Sequence, residues 1–119
     1  MGGLKLAVAT KGSRGLEDEV SNVFGKAKTF TFIELEDDKI KNVEVRENPG
    51  ASYEHGSGPV AGKVLSETGV KAVICGEFGP GALALLETSK IHPIKVEAGT
   101  KVSRAILVGE VKALAKETP

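Results

Sequence analysis

Short apolar stretches, separated by polar and glycine-rich segments, recur along the chain and predict five β-strands. Two of them, residues 4–10 and 70–75, are almost continuously apolar, which is typical of strands covered on both faces. The second and third are rich in β-forming residues and flank Asp37-Asp38, which predicts a tight turn and a hairpin. The last contains Pro93, which lacks an N–H donor, so we expect it at an edge of the sheet. The predicted strands are residues 4–10, 29–35, 40–46, 70–75 and 91–96.

Three further segments carry apolar residues at helical spacing. Ser57 is expected to cap the first helix and Gly69 to end it. Pro80 stands at the start of the second, where its missing N–H group removes no hydrogen bond. The third is predicted as one continuous helix after a turn at residues 98–100. Residues 82–86 begin the second helix, which is predicted to be amphipathic. The predicted apolar faces of the other two are Val60, Ala61, Val64, Leu65 and Thr68 in the first helix and Val102, Ala105, Ile106, Gly109 and Ala113 in the third.

The order of these elements, β-β-β-α-β-α-β-α, predicts an α/β fold with a mixed five-stranded sheet and three helices on its faces. Right-handed crossovers restrict the possible arrangements, and the predicted strand order is 3-2-1-4-5. The first and fourth strands are then parallel neighbours. The 119 residues suffice for a single domain, residues 1–119, with its core at about 4–115 and a tail, 116–119, that is expected to fray.

Charge and composition argue against several classes of partner. The chain has 16 basic and 16 acidic residues, and this balance disfavours nucleic acids and membrane surfaces as ligands. It has one cysteine and no apolar run near the length that spans a membrane. We therefore expect a cytoplasmic protein.

Three loops are expected to leave the sheet at the same edge, namely residues 11–15, 51–58 and 76–81. Ligands of open α/β sheets bind beyond the carboxyl ends of the strands, so these loops define a candidate crevice. The helix that begins at Pro80 would present free backbone N–H groups there, which suits an anion.

Glycines and cations in these loops are candidate binding residues. The loop after the fourth predicted strand contains Glu77 and three glycines, Gly76, Gly79 and Gly81. Their spacing matches neither the dinucleotide-binding nor the phosphate-loop pattern. They indicate instead that the backbone approaches an anion or a neighbouring loop closely. Residues Lys11 and Arg14 would add positive charge at this edge, or are simply solvated.

Cys75 and His55 are the candidate metal ligands. Cys75 ends the fourth predicted strand beside helix N–H groups, a position that would lower its thiol pKa; the alternative is that it only packs in the core. His55 lies in a glycine-flanked loop without an apolar period, although an exposed loop histidine is the commonest case. His92, before Pro93, is interpreted as structural. Because one thiol cannot hold an iron–sulfur cluster in the usual four-cysteine way, any cluster would be held loosely by few ligands.

The patterns of common enzymes are missing from the sequence. Strand 4–10 carries no carboxylate that could hold magnesium at its end, and Glu54 and Glu77 form no recognisable pair. There is no Gly-x-Ser-x-Gly motif and no credible Cys-His-Asp set. We therefore expect a protein that is not an enzyme.

With these residues in view, the sequence resembles the nitrogenase iron–molybdenum cofactor biosynthesis family, the NifX-like domain also found at the end of some NifB proteins. The matching segments are residues 5–9, 20–21, 24–27, 30, 47–49, 55–56, 69–74 and 79–82. They span about residues 4–115 in the expected order. The chain departs from the family pattern at Lys26, Lys28 and Thr29, and Asn22 or Val23 stands where some members have a histidine.

The resemblance implies a ribonuclease H-like three-layer α/β/α fold and a role as carrier or chaperone of an iron–sulfur cofactor precursor or of the finished cofactor. The leading hypothesis is a non-catalytic protein that binds an anionic cluster transiently and holds no cofactor tightly. Cluster donor and acceptor proteins would be its partners. The proposed ligands are Cys75 or His55, and the surrounding residues are Lys11, Arg14, Gly76, Glu77, Gly79 and Gly81. A small-anion or nucleotide-binding regulatory module and a protein-interaction domain are the alternatives, and the oligomeric state stays open.

Overall fold

A single mixed sheet of five strands forms the centre of the molecule in the computed structural model, which describes residues 3–37 and 39–117. Its order is the predicted one, β3-β2-β1-β4-β5. The strands are β1 (Gly3–Thr10), β2 (Thr29–Glu36), β3 (Lys39–Glu47), β4 (Ala72–Cys75) and β5 (His92–Lys95). Strand β1 pairs antiparallel with β2 and parallel with β4, which in turn pairs parallel with β5. The carboxyl ends of β1, β4 and β5 therefore lie at one edge of the sheet.

Helices cover both faces of this sheet. They are α1 (Ser57–Ser66), α2 (Pro80–Thr88), α3 (Val102–Ala105) and α4 (Gly109–Glu117), and two short 3-10 helices occupy Gly15–Glu17 and Pro49–Ser52. Successive residues of a strand point to opposite faces, so the sheet separates two apolar cores. Phe24, Leu65 and Leu86 belong to the core on the side of α1 and α2. Val102 and Val111 belong to the core on the side of α3 and α4, which confirms the three-layer α/β/α arrangement.

The prediction of one continuous helix over residues 102–113 is wrong. Helix α3 ends at Ala105, a turn follows, and α4 begins at Gly109. Val102 and Val111 are nine residues apart, so in one straight helix they would point to opposite sides. The break lets both side chains enter the same core, whereas Gly109 and Ala113, predicted on the apolar face, are exposed.

Other boundaries differ from prediction by a few residues. Gly56, with a left-handed φ of 75°, is the N-cap of α1, so Ser57 is the first helical residue rather than the cap. Helix α4 includes residues 116 and 117, which were placed in a frayed tail, while residues 118–119 lie outside the described part of the chain. In the predicted hairpin turn, Asp37 has a positive φ of 51°, and Asp38 lies outside the described residues. Pro93 is in an edge strand, as predicted.

Candidate functional site

A segment that sequence reasoning missed crosses the carboxyl edge of the sheet. We call residues 18–24 the strap. The N–H group of Ser21 donates to the carbonyl of Ala9 at the end of β1 (2.8 Å), and the Ser21 carbonyl accepts from Gly76 just after β4 (3.0 Å). At one end of the strap, Val20 donates to Thr100 (2.8 Å). The edge above β1 and β4 is therefore covered by main chain rather than open as a crevice.

Cys75 lies beneath the strap. Its side chain is fully buried, and its thiol donates a hydrogen bond to the Ser21 carbonyl at 3.3 Å. Burial raises the pKa of Cys75 to about 11, outweighing the backbone N–H groups of Glu77 and Gly76, which lower it. The expectation of a lowered thiol pKa is wrong for this reason. Because the thiolate is the metal-binding form, Cys75 as a ligand stays a prediction that requires the strap to move.

The loop at residues 11–15 is folded around a buried carboxylate. Asp18 accepts hydrogen bonds from the backbone N–H groups of Arg14 (3.0 Å) and Glu19 (2.8 Å). Burial raises the pKa of Asp18, but these hydrogen bonds and the Arg14 charge outweigh it, and the pKa lies below its usual range. An aspartate closing a glycine-rich loop is the sequence signal that could have found this contact.

Lys11 and Arg14 lie beside the strap, and each faces one of its acids. The ammonium of Lys11 is 3.1 Å from Glu19, and the guanidinium of Arg14 is 3.7 Å from Asp18. Both basic side chains are largely exposed, so these ion pairs are screened by solvent. Their positive charges are balanced locally rather than directed at an empty crevice.

The amino ends of α1 and α2 meet next to the strap. A Cβ atom added to Gly81 would lie 3.1 Å from Pro59, and one added to Gly58 would lie 3.2 Å from Ala82. Gly25 approaches α1 still more closely, since a Cβ there would lie 2.5 Å from the Gly58 nitrogen. We call the surface formed by residues 23–26, 53–59 and 78–82 the rim.

Both helices begin without a capping side chain among the residues that the structure describes. Gly56 is the N-cap of α1 and Gly79 that of α2, and neither can supply a side-chain acceptor. The first intrahelical bonds are those donated by Val60 and Leu83, so the earlier N–H groups have no helical partner. Two positive helix ends thus lie side by side at the rim.

Exposed side chains surround these helix ends. Val23 and Tyr53 are 44% and 50% exposed, and the half-buried ring of Phe78 packs on Phe24 with a centroid distance of 5.4 Å. The ammonium of Lys26 donates to the Tyr53 carbonyl and joins two of the segments that form the rim. His55 is exposed, and no hydrogen bond to its ring is formed by the described residues. The rim therefore combines apolar side chains with a lysine and a histidine.

The structure brings together only part of the predicted site. His55, Gly79 and Gly81 lie at the rim, while Gly76 and Cys75 lie beneath the strap. The Glu77 carboxylate pairs with Lys95 at the end of β5 (3.3 Å). Within residues 3–37 and 39–117, no three His, Cys, Asp or Glu side chains are grouped so that they could hold a metal ion. A bound cluster would therefore depend on few protein ligands and on backbone donors.

Comparison with known proteins identifies the family. Residues 4–108 match the family described as dinitrogenase iron–molybdenum cofactor. The chain belongs to this family. The resemblance inferred from the sequence is thereby confirmed.

This member of the dinitrogenase cofactor family is similar in sequence to proteins of an archaeon and of a bacterium. It is 31% identical over 78 residues to an uncharacterized protein of Methanocaldococcus jannaschii, and the match covers 66% of each chain. It is 32% identical over 101 residues to the protein NifX of Sinorhizobium fredii, and this match covers 80% of the chain and 61% of NifX. The matched region thus spans about two thirds of the length of the first relative and less of the second.

Solved structures of similar proteins share the fold. The apo form of the orange protein from Desulfovibrio gigas has a TM-score of 0.78 and 27% identity, over 97% of this chain and 90% of that one. A Thermotoga protein described as NifB has a TM-score of 0.70 and 31% identity, over 89% and 84% of the two chains. The mixed sheet with helices on both faces is therefore the fold of NifX-like proteins.

None of the described helices is long and apolar enough to span a bilayer.

Proposed function

We propose that this NifX-like chain is a non-catalytic carrier, which binds an anionic iron–sulfur or iron–molybdenum-type cluster, or its precursor, at the rim. Its partners would be the proteins that donate and accept the cluster. Membership of the dinitrogenase iron–molybdenum cofactor family supports the class of cargo. The observation that carries the proposal is the pair of adjacent, uncapped helix amino ends at α1 and α2.

The rim suits a cargo that must be released again. Backbone N–H groups and a helix dipole attract an anion without forming a covalent bond to it. The exposed side chains of Val23 and Tyr53 provide apolar contacts beside these donors. Among the described residues no three His, Cys, Asp or Glu side chains are grouped around a metal site, which supports binding by few ligands and release to an acceptor.

His55 is the proposed direct ligand because it is exposed beside the amino end of α1. Cys75 would contribute only after the strap moves away from Ser21, because its thiol is buried and hydrogen-bonded there. The same buried state argues against Cys75 as a catalytic nucleophile in the resting protein, because a raised pKa disfavours the thiolate. Lys11 and Arg14 would add little net charge, since each faces an acid.

Anaerobic reconstitution with iron and sulfide, or transfer from a cluster-loaded donor protein, tests this proposal. The wild-type chain should keep iron and a visible absorption band after gel filtration, and His55→Ala should weaken the band. His92→Ala is the matched control, because His92 is also exposed but lies at the start of β5, at the opposite edge of the sheet, and faces Glu110. A wild-type chain that retains no iron contradicts the carrier function. If His55→Ala and His92→Ala give equally strong absorption bands, His55 is not a ligand, but the carrier function itself is not contradicted.

A small-anion or nucleotide-binding module is the second candidate, because the same N–H groups at the helix ends would also donate hydrogen bonds to phosphate oxygens. A rise in melting temperature with inorganic phosphate or ATP, and none with a cluster donor, would favour it. Stabilisation by a partner protein alone would favour a protein-interaction domain.

A further inference from the structure

The outer surface of α1 and α2 carries very few charges for a solvent-facing layer. Each of these two helices contains a single charged residue, Lys63 in α1 and Glu87 in α2. The nine residues of α4, on the opposite face of the sheet, include four. A surface helix normally places polar and charged residues on the side away from the core. The layer formed by α1 and α2 is thus built like a surface that meets another protein.

A shallow groove runs between the two helices on this outer surface. It has a volume of about 400 Å³ and is lined by Pro59, Val60, Val64 and Leu85, with Lys63 and Glu67 at its border. The helices are packed closely, since a Cβ atom on Gly62 would lie 3.0 Å from Leu85. Val60 and Val64, predicted from the sequence on the apolar face of the helix, are only half-buried. Their outer surface faces the groove instead of a neighbouring element of the same chain.

The two charges at the border of the groove have opposite sign and are one helical turn apart. Neither Lys63 nor Glu67 forms an ion pair with any residue that the structure describes. If two copies of the chain pack about a two-fold axis with their α1 helices antiparallel, each Lys63 comes next to Glu67 of the partner subunit. The charge pattern formed by Lys63 and Glu67 is therefore self-complementary.

We propose that this groove is a homodimer interface, in which a second copy of the chain docks with its α1 antiparallel. The proposal is independent of cluster binding. A stable dimer buries about 800 Å² per partner, which is roughly an eighth of the 6562 Å² accessible surface of this chain. Because α1 begins at the rim and Glu67 follows its other end, the Lys63–Glu67 contacts would lie away from both rims, although Pro59 belongs to the rim and also lines the groove.

Sedimentation equilibrium over a wide range of protein concentration tests the interface. We expect the wild-type chain to form a dimer of the 12.4 kDa subunit. Lys63→Glu and Glu67→Lys should each weaken dimerisation about tenfold or more, because like charges then face each other across the axis. The double variant, Lys63→Glu with Glu67→Lys, should restore the wild-type dissociation constant. Lys112→Glu, a charge reversal at an exposed position of α4, is the control and should change nothing.

These variants alter exposed residues, so they should fold. A wild-type chain that stays monomeric at every concentration overturns the proposal. A dimer whose dissociation constant does not respond to either single reversal also overturns it, because its interface then lies elsewhere. A double variant that is no better than the single ones overturns the antiparallel pairing.

Discussion

The thiol of Cys75 donates a hydrogen bond to the main-chain carbonyl of Ser21, 3.3 Å away. These residues are far apart in sequence, and the contact joins the end of a central strand to the strap above it. The thiol is therefore buried beneath backbone rather than exposed in a loop. The contact ties the Cys75 thiol to the strap, and burial of the side chain raises its pKa.

Stability above pH 9 should depend on Cys75. Burial raises its pKa from the ordinary value of 9.0 to about 11, so the folded state favours the neutral thiol. The stabilisation is complete below the unfolded pKa and is lost as the pH rises through the folded one. Between pH 9 and 11 the free energy of unfolding should fall by about 2 kcal/mol more in the wild type than in Cys75→Ala. Urea unfolding at several pH values measures this difference, and parallel curves would contradict it.

The buried carboxylate of Asp18 should stabilise the protein at neutral pH. Its pKa is lowered because, despite burial, the backbone N–H groups of Arg14 and Glu19 and the Arg14 charge favour the ionised form. Its contribution is therefore present above the unfolded pKa of about 3.8 and is lost as the pH falls through the lower folded value. Asp18→Ala should cost about 2–3 kcal/mol at pH 7, since two N–H groups lose their acceptor. Between neutral and acid pH, the free energy of unfolding of this variant should also change less than that of the wild type.

Glu54→Ala is the control for Asp18, because Glu54 is exposed and bonds to none of the described residues. Its free energy of unfolding should stay within about 0.5 kcal/mol of the wild type. Equal stabilities of the two alanine variants would contradict the role assigned to Asp18.

Close packing between Gly25 and the start of α1 should be necessary for the rim. In Gly25→Ala the new methyl group would lie 2.5 Å from the Gly58 nitrogen and 2.7 Å from the Ser57 carbonyl carbon, both backbone atoms. We expect a loss of about 2–4 kcal/mol in the free energy of unfolding. Gly79→Ala is the matched control, because a Cβ atom there meets nothing within 4 Å and φ is −72°. Its stability should be unchanged or slightly increased, by up to about 1 kcal/mol.

The Asn48 side chain should fix the segment at Gly25 and Ala27 against the turn at Gly50. Its buried amide donates to the carbonyls of Gly25 (3.2 Å) and Ala27 (2.9 Å) and accepts from the N–H group of Gly50 (2.9 Å). Asn48→Ala leaves all three groups without their partner, so we expect a loss of about 2–4 kcal/mol in urea unfolding. Ser52→Ala, which removes an exposed hydrogen bond to Pro49, should cost much less. Similar losses in both would show that the Asn48 contacts are not maintained.

Much of the fold could be predicted because its signals are local. The continuous apolar run at residues 4–10 and the proline at 93 place strands in the centre and at the edge of the sheet, since burial and the missing donor act at each residue itself. The helix over residues 102–113 could not be predicted correctly, because the break after Ala105 depends on where the core beneath it lies.

The candidate site was less accessible to sequence reasoning. His55, Gly79 and Gly81 fall in segments whose composition indicated a site, and all three belong to the rim, with Gly81 inside the first turn of α2. The strap was missed, because main-chain hydrogen bonds hold Ser21 and Val20 in place, and these leave no side-chain pattern. The predicted lowering of the Cys75 pKa was wrong for the same reason, because Cys75 lies buried beneath the strap and burial raises its pKa.

By itself, the amino-acid sequence determined the strand order and which strands are central, because continuous apolar runs and the positions of glycine and proline constrain the backbone locally. The family followed separately, from the resemblance of matching segments along the chain. Only the tertiary structure decided that Cys75 is buried, that Asp18 anchors a loop and that the α1 and α2 amino ends adjoin. Each of those contacts joins segments distant along the chain, and its energy depends on burial and distance that no local pattern encodes.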